Sequence, residues 1–251
     1  MFNQPLGPLI KSSLDYFNSF KPVKVDTNRD ELIKLYWQYH QRFKSIKTFS
    51  VKNGSVLDIG SGSGGLFFWK EYMLPNRKDL KMTAVDLQKG EHFDRYEKYV
   101  ILNLDDKTLP FDNESFDFIM LSHLIEHVKD WKLLLDECKR VLKSSGTVYI
   151  ETPSLHTRDL PESKYYKDMG FPCQTINFFD DGTHVEPVDL DKAGAYINSI
   201  DCVVLEKGYC RSIYLEDQLL SYGYQNKDME VSQYGLWSKL LFSSYIVLQK
   251  M

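Results

Sequence analysis

The sequence predicts a doubly wound α/β fold, built on a mostly parallel sheet with helices on both faces. Three observations carry this. Short apolar runs alternate with helical stretches from residue 55 onward, a glycine-rich loop follows the first run, and turn residues separate the rest. Strands that alternate with helices cannot pair as hairpins, so they form a parallel sheet covered on both sides.

The elements follow in order. Residues 1–27, with Pro5, Pro8 and Pro22, read as an arm. Residues 28–48 read as one amphipathic helix, with Asn28 as N-cap and Leu32, Leu35, Tyr36, Tyr39, Phe43 and Ile46 at helical spacing. Asn53-Gly54 is a turn. Ser55–Ile59 is a strand and Leu66–Leu74 a helix stopped by Pro75. Lys81–Val85, ending at Asp86, and Tyr99–Leu104 are strands, and so is the strongly apolar Phe116–Leu121. Asp130–Leu142 is a helix with Leu134, Leu135, Cys138 and Val141 on one face, and Ser144-Ser145-Gly146 separates it from a strand at Thr147–Glu151. Leu190–Ile200 reads as a helix, Cys202–Tyr209 and Phe242–Leu248 as strands. Residues 153–188 and 211–238 lack clear periodicity, are rich in aromatics, and read as cap segments. The expected organisation is an N-terminal arm and helix over 1–50 and a ligand-binding domain over 51–251.

Composition narrows the function. The chain has 251 residues, 43% hydrophobic and 26% charged, which suits a folded domain and not a disordered one. A formal charge of −4 disfavours generic polyanion binding. The local exception is residues 21–52, where Lys21, Lys24, Arg29, Lys34, Arg42, Lys44, Lys47 and Lys52 face only Asp26, Asp30 and Glu31. Cys138, Cys173, Cys202 and Cys210 form no C-x-x-C pair and read as idle thiols in a reducing compartment. No apolar run approaches a membrane span and the N-terminus lacks signal-peptide character, so a cytoplasmic protein is expected.

The sharpest signal is Val56-Leu57-Asp58-Ile59-Gly60-Ser61-Gly62-Ser63-Gly64-Gly65. Gly60, Gly62 and Gly65 fit G-x-G-x-x-G between a strand and a helix, and Asp86 ends the next strand, where an acid can bond ribose hydroxyls. Dinucleotides and S-adenosylmethionine both satisfy that pattern. Asp58 separates them: a pyrophosphate 4 Å from a carboxylate is repelled by about 1–4 kcal/mol, whereas sulfonium and ammonium groups are attracted. Asp105, after the third strand, adds an acceptor for an adenine amine.

These stretches resemble the class I S-adenosylmethionine-dependent methyltransferases over residues 36–200. VLDIGSGSGG resembles the family's first motif and TAVDL its second; LDDKTLPFDNESFDFIMLSHLIEHVKD and LLLDECKRVLKSSGTVYIETP resemble the stretches through the fourth and fifth strands. The resemblance implies a seven-stranded Rossmann-like sheet with an antiparallel last strand, and S-adenosylmethionine as cofactor with S-adenosylhomocysteine as product. It implies that Asp58, Gly60, Ser61, Gly62 and Gly64 hold the methionine moiety, Asp86 and Leu87 the ribose side, and Leu104, Asp105 and the Asp106 backbone the adenine. Ser122 and His123, after the fourth strand, complete the cofactor set. Tyr39-His40-Gln41-Arg42-Phe43 resembles an H-x-R-Y element in which the Arg pairs with the cofactor carboxylate; a solvated helix charge is the other reading of Arg42. Asp181-Gly182-Thr183-His184-Val185 resembles a D-P-T-H-V segment of bacterial methyltransferases associated with surface-polysaccharide and other small-molecule pathways.

A hydroxyl acceptor benefits from a general base, and His127 and His184 are the candidates. His123-x-x-Glu126-His127 has one-face helical spacing suited to a divalent metal, but three residues do not complete a coordination sphere, and no metal is assigned. The expected function is methyl transfer to O or N of a small metabolite or sugar-linked intermediate. The alternatives are an RNA or protein methyltransferase docking through the basic helix, and a non-catalytic cofactor-binding partner subunit.

Overall fold

The computed structural model describes residues 13–105 and 108–251. Much of the arm and Asp106 therefore lie outside the described residues. The chain divides into two compact units, residues 1–39, 153–187 and 209–243, and residues 40–152, 188–208 and 244–251.

The second unit carries a seven-stranded sheet in the order β3-β2-β1-β4-β5-β7-β6. The strands are β1 Ser55–Ile59, β2 Lys81–Asp86, β3 Lys98–Ile101, β4 Phe116–Ser122, β5 Leu142–Pro153, β6 Cys202–Tyr209 and β7 Ser243–Lys250. β1 pairs in parallel with β2 and β4, β2 with β3, and β4 with β5. β7 runs against β6, because Cys210 N–H bonds Ser243 O at one end and Met251 N–H bonds Asp201 O at the other. The expected doubly wound sheet with an antiparallel last strand is present. Parallel strands buried on both faces need continuous apolar sequence, and Phe118, Ile119, Met120 and Leu121 of β4 are all buried. The helix Trp131–Val141 is capped by Asp130, which accepts from the Lys132 and Leu133 amides at 3.1 Å. It turns Leu134, Leu135, Cys138 and Val141 into the core, each apolar side chain worth about 1.5–3 kcal/mol when fully buried.

The structure departs from the sequence reading in three places. The helix over 28–48 is two helices, Arg29–Tyr39 and Gln41–Phe49, broken at His40 (φ −67°, ψ 141°). His40 is buried, and its Nδ1 accepts from the Arg42 amide, so it caps the second helix. β5 begins at Leu142, directly after the helix, with a register shift against β4 between Phe116 and Phe118. Residues 211–238 are not irregular: they hold the helices Glu216–Asn226 and Met229–Lys239. Glycine lets these helices touch. A Cβ on Gly223 would lie 2.5 Å from the Ser232 backbone.

The first unit has its own core, with Phe17, Tyr166, Phe171, Leu220 and Leu236 buried together. Its segment 153–187 stays largely irregular but is bonded internally. Asp180 accepts from the amides of Ser163, Ile176 and Asn177. No helix among the described residues is long and apolar enough to cross a membrane.

Candidate active site

Parallel strands deliver their following loops to one edge of the sheet. There β1 ends in the glycine loop. Gly60 (φ 72°) and Gly62 (φ 54°) are both left-handed, where side chains are strained. At Gly60 space is also short, since a Cβ would meet Leu124 at 2.9 Å. A Cβ on Gly62 would meet nothing within 4 Å among the described residues, so backbone conformation alone requires glycine. The Gly62 amide points at Asp86 Oδ2, 2.8 Å away, and the Gln88 amide reaches Oδ1 at 3.3 Å. Asp86 is thus oriented by two amides, and each oxygen retains a lone pair. Leu87 beside it is 67% exposed.

Asp58 lies beneath the loop and is buried. Tyr96 donates to its Oδ2 at 2.6 Å. Burial raises the Asp58 pKa to about 6, opposed by the Tyr96 hydrogen bond and the Arg42 charge and reinforced by Asp86. Desolvation and the neighbouring Asp58 push the Tyr96 phenol well above its ordinary value.

A buried charge cluster occupies the ends of β4 and β5. Glu151 accepts from Arg42 Nε at 3.3 Å and Nη2 at 3.2 Å, from the Tyr149 hydroxyl at 2.8 Å, and faces His123 Nε2 at 3.1 Å. Glu126 faces His123 Nδ1 at 3.2 Å and accepts from Thr152 at 3.1 Å. Both carboxylates are buried. Burial works against ionising Glu151, but Arg42, His40 and His123 together hold it well below the ordinary carboxylate range. Burial likewise disfavours a charged His123, yet its bonds to Glu126 and Glu151 raise it to about 9. His123 is therefore an imidazolium near neutrality. Buried His40 is lowered to about 4, chiefly by desolvation, and stays neutral.

Arg42 is not a solvated helix charge, because its fork is bidentate on Glu151. Asp105 accepts from the Lys129 amide at 3.0 Å, and an apolar cleft lined by Leu104, Leu109, Val128 and Leu133 opens beside it. Ser122 Oγ is buried and has no hydrogen-bond partner among the described residues. The one-face helical arrangement of His123, Glu126 and His127 does not form: His123 has φ 50° and the chain then makes a 3-10 turn over Ile125–His127. His127 is half-buried on that turn. His184 belongs to the other unit, where its ring packs on Phe178 and its Nδ1 bonds Phe178 O at 2.6 Å.

Glu151, Tyr96 and Tyr99 were not legible as site residues, and Glu126 was legible only in the spacing of His123-x-x-Glu126-His127. Arg42 and Glu151 are 109 positions apart, and Tyr96 and Asp58 38 apart, so no local pattern joins them.

A family model described as a methyltransferase domain matches residues 31–187, more than half of the chain. The chain belongs to the class I S-adenosylmethionine-dependent methyltransferases. Among curated relatives of this methyltransferase, (S)-coclaurine N-methyltransferase of Thalictrum flavum subsp. glaucum is 26% identical over 183 residues, 68% of this chain and 47% of that enzyme. The mitochondrial ubiquinone biosynthesis O-methyltransferase of Rattus norvegicus is 24% identical over 174 residues, 66% of this chain and 47% of that one. The chain thus spans about half the length of these relatives. A crystal structure of a SAM-dependent methyltransferase from Archaeoglobus fulgidus matches with a TM-score of 0.53 at 20% identity, covering 89% of this chain and 95% of that one. A coclaurine N-methyltransferase bound to N-methylheliamine and S-adenosylhomocysteine matches with a TM-score of 0.51 at 15% identity, covering 97% and 85%. Both show the same fold.

Proposed function

We propose that this methyltransferase is a cytoplasmic enzyme that transfers the methyl group of S-adenosylmethionine to an O or N atom of a small metabolite or sugar-linked intermediate. The observation that carries the reading is the buried Asp58 carboxylate beneath a left-handed glycine loop, beside an Asp86 already oriented by backbone amides. This pair of carboxylate acceptors fits a cationic nucleoside and disfavours a diphosphate. The small-molecule acceptor is supported by the relatives named for coclaurine N-methylation and ubiquinone O-methylation. The basic stretch offers less free charge than its sequence suggests, because Arg29 pairs with Asp228 and Glu230, Arg42 with Glu151 and Lys44 with Glu206. That weighs against docking on RNA.

S-Adenosylmethionine supplies an electrophilic methyl group on a sulfonium. Asp58 and Arg42 receive the charged ends of its methionine moiety, with the glycine loop at Gly60–Gly64 closing over it. Asp86 accepts from the ribose hydroxyls and Leu87 packs on the ring system. Asp105, with the Asp106 backbone, meets the adenine beside the apolar cleft. The unpartnered Ser122 hydroxyl gains a polar neighbour. His123, held between two carboxylates, keeps its proton and does not serve as the base. The proton of the acceptor goes to His127 or His184. In His184 the Nδ1 bond to a carbonyl leaves the lone pair on Nε2, the tautomer a base requires.

Radiolabelled methyl transfer to a panel of small hydroxyl and amine acceptors tests the reading. His127→Ala or His184→Ala should lower kcat by about 10²-fold or more, with little change in S-adenosylhomocysteine affinity. Full activity in both variants removes the base assignment.

Cofactor affinity should also depend on pH with a defined sign. Only ionised Asp58 attracts an ammonium group, so affinity is full well above pH 6 and falls as pH drops through about 6 and Asp58 takes up its proton. From pH 7.5 to pH 5 the Kd for S-adenosylhomocysteine should rise about tenfold. Asp58→Asn should bind weakly and show a flat profile; an unchanged profile in that variant contradicts the assignment.

A further inference from the structure

We infer that Tyr99 is a positioning residue of the cofactor cradle, its hydroxyl clamping the loop after β1 to the loop after β2. The inference rests on the cofactor reading above and goes beyond it, because Tyr99 lies on β3 and belongs to neither loop.

The hydroxyl is fully used. It accepts from Ser61 Oγ at 3.1 Å and from the Gly90 amide at 3.3 Å, and donates to Gln88 O at 2.8 Å. A phenol has one donor and two acceptor sites, so all three bonds go to these two loops. Ser61 sits in the glycine loop, whose Gly62 and Ser63 are exposed. With little apolar surface to bury, that loop depends on a few polar contacts for its placement. The loops also touch through their backbones. His92 N–H bonds Ser63 O at 2.9 Å, and a Cβ on Gly90 would lie 1.8 Å from Gly62 O. The φ of Gly90 is not in the left-handed region, so glycine is required there for close approach alone. The Tyr99 ring is itself fixed edge-on by Phe93 (6.1 Å) and Tyr96 (5.9 Å). Tyr96 in turn bonds Asp58. Gly62 carries the amide that orients Asp86, so a displaced glycine loop would disturb both carboxylates.

Tyr99→Phe removes the three bonds and keeps the ring. We expect the S-adenosylhomocysteine Kd and the S-adenosylmethionine KM to rise about tenfold, with a smaller fall in kcat. Ser61→Ala, a truncation at a half-buried loop position, should raise Kd about threefold. The double variant should bind no more weakly than Tyr99→Phe, because the serine then has no hydroxyl to lose contact with. A merely structural tyrosine would lower the urea midpoint while leaving Kd within about twofold in both single variants. That result overturns the clamp, and if Tyr99→Phe does not fold, Tyr99→Met, which keeps apolar bulk without the hydroxyl, decides the matter. If the wild type itself fails to bind S-adenosylhomocysteine, the cofactor reading falls and the clamp falls with it. If the wild type binds and the variants bind equally, the clamp alone falls.

Discussion

Glu151→Ala should destabilise the protein by about 3–5 kcal/mol, the range for breaking a buried ion pair by removing one partner. Glu151 is 1% exposed and is the shared acceptor for Arg42, His123 and Tyr149. Its removal leaves two cations with small exposure, 20% for the Arg42 side chain and 21% for His123, without that counter-charge. His123 then keeps only the Glu126 carboxylate of this cluster. Glu151→Gln preserves shape and some hydrogen bonding but not charge, so it should fall between wild type and alanine. The pH profile has a fixed sign. His123 is raised to about 9, so its contribution is complete below pH 6.5 and is lost as pH rises toward 9. Glu151 is depressed, so its contribution is present above the ordinary Glu pKa and is lost as pH falls through its lower folded value. Urea unfolding at pH 7 measures the destabilisation itself, unfolding at pH 9 the alkaline loss from His123, and unfolding below pH 4 the acid loss from Glu151. In Glu151→Ala the alkaline loss should be reduced. A destabilisation below about 1 kcal/mol would place the cluster among surface ion pairs and contradict its burial.

Asp86→Ala should weaken S-adenosylhomocysteine binding by about 1.5–3 kcal/mol, the worth of hydrogen bonds to a charged acceptor. That is roughly 10- to 150-fold in Kd. The variant loses more than a ligand contact, because the Gly62 amide now bonds an Asp86 oxygen at 2.8 Å. Asp86→Asn distinguishes the two contributions. The asparagine oxygen can still accept from one amide, but its nitrogen cannot accept from a ribose hydroxyl. Asparagine should therefore lose less affinity than alanine and more than Tyr99→Phe. Equal affinity in wild type and Asp86→Ala would show that this acid is not at the ribose.

Much of the sheet was legible because parallel strands declare themselves as apolar runs. Ser55–Ile59 and Cys202–Tyr209 match the expected bounds, and Lys81–Asp86 and Phe116–Ser122 differ by a residue at most. The glycine loop was legible because left-handed backbone selects glycine directly. The break at His40 was not. Tyr36 and Phe43 keep helical spacing across it, and only tertiary burial of the imidazole interrupts the helix. The hairpin of Glu216–Asn226 and Met229–Lys239 was missed for a related reason. Its helices pack through Gly223 and Gly235 and bury Ser221, Ser232 and Ser238, which blurs the apolar stripe. Glu151 read as an ordinary polar residue at a strand end, since its partners Arg42 and His123 come from other segments, whereas Glu126 stood out only in the His123-x-x-Glu126-His127 spacing. Asp105 was expected to face adenine; the Lys129 amide now bonds it, and the Asp106 part of that expectation lies outside the described residues.

The chemistry ascribed to the glycine loop and its acids depends on selection for an ammonium-bearing adenosyl ligand over a diphosphate. Isothermal titration of the wild-type protein at pH 7.5 with S-adenosylhomocysteine, and separately with NADH, measures that selection directly. Saturable one-to-one binding of the thioether, with no heat from the dinucleotide, is the expected result. Binding of NADH with no response to S-adenosylhomocysteine would contradict it.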